Sequence, residues 1–162
     1  MRFFPQNAFC LFCLLFLLSA CSSPVSNSSL TINKHNNSNT NTEATKDDIE
    51  DFAKIVKLPF QPEEVSWRES ADKKIIAVLK FSAADANNLT TQIEKQKPAQ
   101  NAGLNAENWF PPELIAQSQQ SGDETLKGKE YSAADFFLAP YTKGKITRID
   151  ETNYFVLELS AQ

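Results

Sequence analysis

Histidine and cysteine are almost missing from this chain, and their scarcity excludes more chemistry than any motif present defines. Among 162 residues the one histidine is His35 and the three cysteines are Cys10, Cys13 and Cys21, so none occurs from Asp47 onward. A Ser–His–Asp or Cys–His centre needs imidazole as its base, and zinc sites draw mainly on imidazole and thiolate, so both classes are excluded there. Glycine is scarce as well. Gly103, Gly122, Gly128 and Gly144 stand apart, and none sits in a phosphate-cradling loop or a dinucleotide fingerprint. Positive charge is also short. From Asp47 to Gln162 there are 13 Lys/Arg against 19 Asp/Glu, a formal net charge of −6. Nucleic-acid binding calls for a basic stripe, so that class is set aside. No cofactor and no metal are expected. Asp47, Asp48, Glu50 and Asp51 cluster but lack the EF-hand order and its central glycine, and they read better as the start of a helix.

The N-terminal quarter is rich where the rest is poor. Ala8 to Leu18 is an unbroken apolar run behind Arg2 and a free amine, and it ends in Leu18-Ser19-Ala20-Cys21. Eleven apolar residues are too few to cross a bilayer as a helix, which needs about 20. A positive start, a short apolar run and small residues before a cut are the marks of a secretory signal. Leu18-Ser19-Ala20-Cys21 resembles the lipobox of bacterial lipoproteins. The resemblance implies removal of residues 1–20 and a diacylglyceryl group on the Cys21 thiol, hence attachment to a lipid bilayer. Ser22 and Ser23 follow with no aspartate, which in that family points to the outer membrane, with the domain facing the periplasm. Cys10-Leu11-Phe12-Cys13 has C-x-x-C spacing, but it lies in the segment to be removed, where thiols serve as small hydrophobes. The mature chain then keeps only Cys21 and forms no internal disulfide.

Residues 21–46 read as the lipidated cysteine and a disordered linker. Of the 25 residues from Ser22 to Lys46, 16 are Ser, Asn or Thr, and none is Phe, Tyr or Trp. Such a stretch cannot bury enough apolar surface to offset its ordering entropy. As a coil it spans about 28 Å and fully extended about 80 Å. His35 falls here, as a solvated polar residue.

Residues 47–162 have the length of one small domain. Thr45-Lys46-Asp47-Asp48 is placed as a capping box opening a helix with Ile49, Phe52, Ala53 and Val56 on one face, ended by Pro59 and Pro62. Val65–Glu69 and Ile75–Phe81 read as a hairpin turning at Ser70-Ala71-Asp72. Ser82-Ala83-Ala84-Asp85 caps a second helix to about Gln96, with Ala86, Leu89 and Ile93 inward. Pro98 and Gly103 mark a loop, Trp109–Ile115 a loop feeding a short helix, and Gln117–Asp123 another loop. Gly144–Ile149 and Tyr154–Leu159 form the clearest hairpin, turning over Asp150–Asn153. The expected fold is α+β: an antiparallel sheet of four to five strands with two to four helices packed mainly on one face. Tyr131-Ser132-Ala133-Ala134-Asp135 echoes Phe81-Ser82-Ala83-Ala84-Asp85. Its flanks differ, which favours coincidence over duplication.

Two candidate sites remain. Trp109, Phe110, Pro111 and Pro112 form an aromatic–proline corner, and tryptophan is enriched in binding hot spots. For Trp67, Phe136, Phe137 and Tyr141 core packing is the stronger expectation. Glu107 and Glu113 flank the same corner and are the one acid pair near aromatics that could stack a sugar. A glycosidase needs two carboxyls about 5 to 10 Å apart in a cleft. The expected function is therefore a lipid-anchored, non-catalytic accessory module docking another envelope protein. The alternatives are a glycan-binding or carboxylate-dependent glycan-hydrolysing protein, and an inhibitor or immunity-type protein opposing a basic enzyme.

Overall fold

The computed structural model describes residues 44–122 and 124–161. The expected signal peptide, Cys21 and most of the linker lie outside them.

The fold is α+β: one six-stranded, wholly antiparallel sheet with helices on it. Val65, Trp67, Ile75, Ala77 and Leu79 alternate with residues of the opposite face, and period two turns that alternation into a half-buried sheet. They belong to β1 (Glu64–Glu69) and β2 (Lys74–Lys80), the predicted first hairpin. The C-terminal hairpin, β5 (Tyr141–Ile149) and β6 (Tyr154–Ala161), is also as expected. The β6 strand lies against β2, with Ala77 opposite Leu157 and Leu79 opposite Phe155. Beyond β5 come β4 (Thr125–Ser132) and β3 (Gln100–Asn105), giving the order β1-β2-β6-β5-β4-β3.

Six strands exceed the expected four to five: the sequence places no strand at β4, and β3 occupies the segment that reads as a loop around Gly103. In Gln-Asn-Ala-Gly-Leu-Asn only Ala102 and Leu104 turn even partly inward, and no residue is β-branched. Its strand conformation comes from the β4 ladder, not from its own propensity.

Helix α1 is short, Ile49–Ala53, and places Phe52 in the core; Val56 follows it inward from the next turn. Its cap differs from the expected box. Asp48, not Thr45, accepts the Asp51 amide at 2.8 Å. Lys46 instead exchanges two backbone hydrogen bonds with Trp67 (2.9 and 2.8 Å) and so protects the outer edge of β1. Helix α2 (Ala83–Glu94) follows expectation closely: Ser82 accepts the Asp85 amide at 3.1 Å, and Ala86, Leu89 and Ile93 are buried. The second Ser-Ala-Ala-Asp does not start an α-helix. Ser132 ends β4, a 3₁₀ turn covers Ala134–Phe136, and Asp135 accepts from Gln92 of α2 and from Gln96 just beyond it, each at 2.6 Å.

These helices share one sheet face, where Phe52, Trp67, Leu89, Phe136, Tyr141 and Phe155 belong to the larger core. Helix α3 (Pro112–Gln120) packs on the other face, with Leu114 and Phe110 against Val78, Leu126, Ile149 and Val156. Two of three helices therefore lie on one face, and each face has its own apolar layer. Among the described residues no helix is long and apolar enough to cross a membrane.

Candidate functional site

The β3–α3 connection carries the aromatic–proline corner across the sheet. Glu107 begins a turn closed by the Phe110 amide, which donates to the Glu107 carbonyl at 3.0 Å. The turn sends the two aromatic rings in different directions. Phe110 is 4% exposed and belongs to the α3-side core. Trp109 packs edge-on to it, with ring centres 4.8 Å apart and planes at 81°, and stays half-buried. Two polar groups fix the indole. Its Nε1–H donates to Glu107 Oε2 at 2.6 Å, and the Arg68 guanidinium lies 4.9 Å from the ring centre. Arg68 comes from β1, at the other edge of the sheet from β3, and its Nε–H donates to Thr45 Oγ1 at 2.9 Å. Pro111 is half-buried beside them. Pro112 opens α3, where a missing N–H costs nothing, and it is exposed.

Of the four predicted contact residues, three therefore reach the surface and Phe110 does not; its ring holds α3 to the sheet. Arg68 was not singled out in the sequence. Its pairing with Trp109 is set by the course of the connecting loop, which no local pattern announces.

The two acids have separate roles. The Glu107 carboxylate receives the indole N–H. Glu113 is exposed in the first turn of α3, where the helix dipole favours a negative charge. Its charge is felt at the Tyr154 hydroxyl, whose ionisation is pushed up first by burial and then by Glu113. Among the described residues that hydroxyl is buried without a hydrogen-bond partner, with the Lys80 ammonium 5.6 Å from the ring centre. Neither Glu107 nor Glu113 lines the grooves described here.

The widest of those grooves lies on the opposite face, between α2, β4 and the β5–β6 turn. Its volume is about 550 Å³, and Thr90, Glu94, Lys129, Tyr131, Arg148 and Asp150 are among its walls. Burial raises the Tyr131 hydroxyl, and Glu94, which accepts from it at 3.4 Å, raises it further. A smaller groove of about 340 Å³ runs beside Lys46 and Lys73. There Glu69 accepts from the buried Tyr141 hydroxyl at 2.7 Å and from Lys73 at 3.0 Å. The Tyr141 bond and then Lys73 hold the Glu69 carboxyl below its ordinary range, against the opposing effect of burial. Among the described residues no cluster of His, Cys, Asp and Glu has the makings of a metal site.

No protein family, curated protein or solved structure matches the chain.

Proposed function

We propose that this chain is a lipid-anchored, non-catalytic module of the bacterial envelope that docks another envelope protein. Anchoring rests on the resemblance of Leu18-Ser19-Ala20-Cys21 to a lipobox, in a segment outside the described residues. The observation that carries docking is the state of Trp109. A half-buried indole is held at its N–H by Glu107 and on its face by Arg68, beside Pro111 and the exposed Pro112. Tryptophan and arginine dominate binding hot spots, and ordering them before the encounter lowers the entropy cost of association. The contact surface is therefore Trp109, Arg68, Pro111 and Pro112, with Phe110 as the internal support.

Crosslinking in intact cells followed by affinity capture of the acylated chain tests this reading. One stoichiometric envelope protein is expected, lost in Trp109→Ala and Arg68→Ala while circular dichroism stays native. Undiminished capture by both variants would reject the surface. Recovery of glycan fragments in place of a protein would replace docking with wall binding.

A further inference from the structure

The groove on the α2 face contains a charge arrangement that the fold itself does not need. Lys129 of β4 stands directly opposite Arg148 of β5. Like charges directly opposed across an antiparallel pair are destabilising. Several other cations are set against acids: Lys145 lies between Glu130 and Glu158, Lys80 meets Glu64, and Lys73 meets Glu69. Neither Lys129 nor Arg148 forms an ion pair among the described residues. Neutral oxygens hold them instead. Lys129 Nζ donates to Asn101 Oδ1, while Arg148 donates to Thr90 Oγ1 at 3.0 Å and to Asn87 Oδ1 at 3.2 Å. A neutral acceptor orients a cation without cancelling its charge. Two oriented cations without an ion-pair partner among the described residues thus share one groove wall.

The rest of the lining limits what they can receive. Glu94, Asp150 and Glu151 also face the groove, with Glu94 tied to the Tyr131 hydroxyl. Three carboxylates disfavour a bare multivalent anion, and the two cations disfavour a basic peptide. A molecule with one charge of each sign satisfies both ends. The volume of about 550 Å³ lies within the range of small-ligand sites. We propose that this groove binds a small zwitterion, an amino acid or a dipeptide, with its carboxylate on Lys129 and Arg148 and its ammonium toward Glu94 and Asp150. The site lies on the opposite sheet face from Trp109 and stands independently of the docking surface.

Amide-shift titration of the full chain in detergent micelles tests it, with alanine, alanylalanine, N-acetylalanine, alaninamide and inorganic phosphate as probes. Saturable shifts centred on Thr90, Lys129 and Arg148 are expected with alanine or alanylalanine, and the tighter of the two sets the ligand length. Each capped form, lacking one charge, should bind about tenfold or more weakly. Lys129→Gln is the informative variant, because Lys129 is exposed and its charge opposes the fold. Its thermal midpoint should be unchanged or higher, while binding falls by about tenfold. Arg148→Lys should also weaken binding, since it keeps the charge and loses the fork. Absence of saturable zwitterion binding would overturn the proposal. So would equal binding of the capped forms, tightest binding of phosphate, or full binding by Lys129→Gln.

Discussion

Trp109 and Phe110 are neighbours in sequence with opposite fates, and the pair separates contact from support. Phe110 is sealed into the α3-side core, so Phe110→Ala loses burial and leaves a cavity. The expected loss is about 3 kcal/mol or more, read from denaturant unfolding. Trp109→Ala removes a half-buried ring at the rim and should lose only about 1–2 kcal/mol. If the two losses were equal, the indole would be part of the core and its role as a contact would fall. A second residue-scale test lies at Glu69. Its folded pKa is depressed below the ordinary value of 4.5, first by the Tyr141 hydroxyl and then by Lys73, with Lys46 adding its charge. A depressed carboxyl contributes stability that is fully present above its unfolded pKa and is lost as pH falls through the folded one. Tyr141→Phe removes the largest of these causes. It should lower stability by about 1–2 kcal/mol at neutral pH, with a smaller deficit once the carboxyl is protonated. Thermal melts of both proteins at neutral pH and near pH 3 should show the gap narrowing; a constant gap would assign the loss to packing around the ring.

At the scale of elements, what the sequence revealed was what local chemistry determines. Ser82 and Asp85 cap α2 reciprocally, with the Ser82 hydroxyl donating to Asp85 Oδ2 at 2.8 Å and accepting the Asp85 amide. That pattern is visible in four residues. Ser82→Ala should lose about 1 kcal/mol, with the loss confined to α2 amides in hydrogen exchange. The second Ser-Ala-Ala-Asp has the same letters and no α-helix, because Ser132 is already committed to the β4–β5 ladder opposite Lys145. Tertiary pairing overrides the local signal there, as it does in β3, whose sequence carries no strand preference of its own. Thr45 likewise has a capping residue's chemistry and another role: its hydroxyl accepts from Arg68 of β1, and Asp48 caps α1. The β3–β4 region also depends on a glycine whose importance no pattern shows. A methyl group at Gly128 would collide with the Arg148 carbonyl oxygen of β5 and crowd Thr147. Gly128→Ala should therefore cost about 1–3 kcal/mol and loosen the β4–β5 ladder, visible as faster exchange of its amides. The candidate sites divide along the same line. Trp109 stood out by residue type alone. Arg68, Lys129 and Arg148 gain their meaning from strand order and register.

At the scale of the whole molecule, net charge bears on how the chain can stay at a membrane. The domain from Asp47 onward has a formal charge of −6, so an anionic lipid surface repels it on balance. Electrostatic adhesion is thereby disfavoured, and the proposed anchoring rests on apolar attachment. Each buried CH₂ contributes about 0.8 kcal/mol, and one acyl chain gives only marginal, reversible binding. The two chains of the diacylglyceryl group that the lipobox resemblance implies for Cys21 would pass that threshold, and the polar residues from Ser22 onward add length. Two results follow for cells supplied with a labelled fatty acid. The wild-type chain should incorporate label and stay in the membrane pellet through high salt, because screening weakens charge contacts and leaves acyl burial intact. Cys21→Ser should carry no label, and mass spectrometry should find its N-terminal segment uncleaved, since the removal of residues 1–20 implied by the resemblance ends at that cysteine. An uncleaved Ala8–Leu18 run would itself hold the chain to membranes by its apolar residues, so label and cleavage decide the matter and fractionation alone does not. Label retained by Cys21→Ser would move the acyl site elsewhere. Release of the wild-type chain by salt would make the attachment electrostatic, and a partner's positive surface would then have to supply the attraction that an anionic lipid does not.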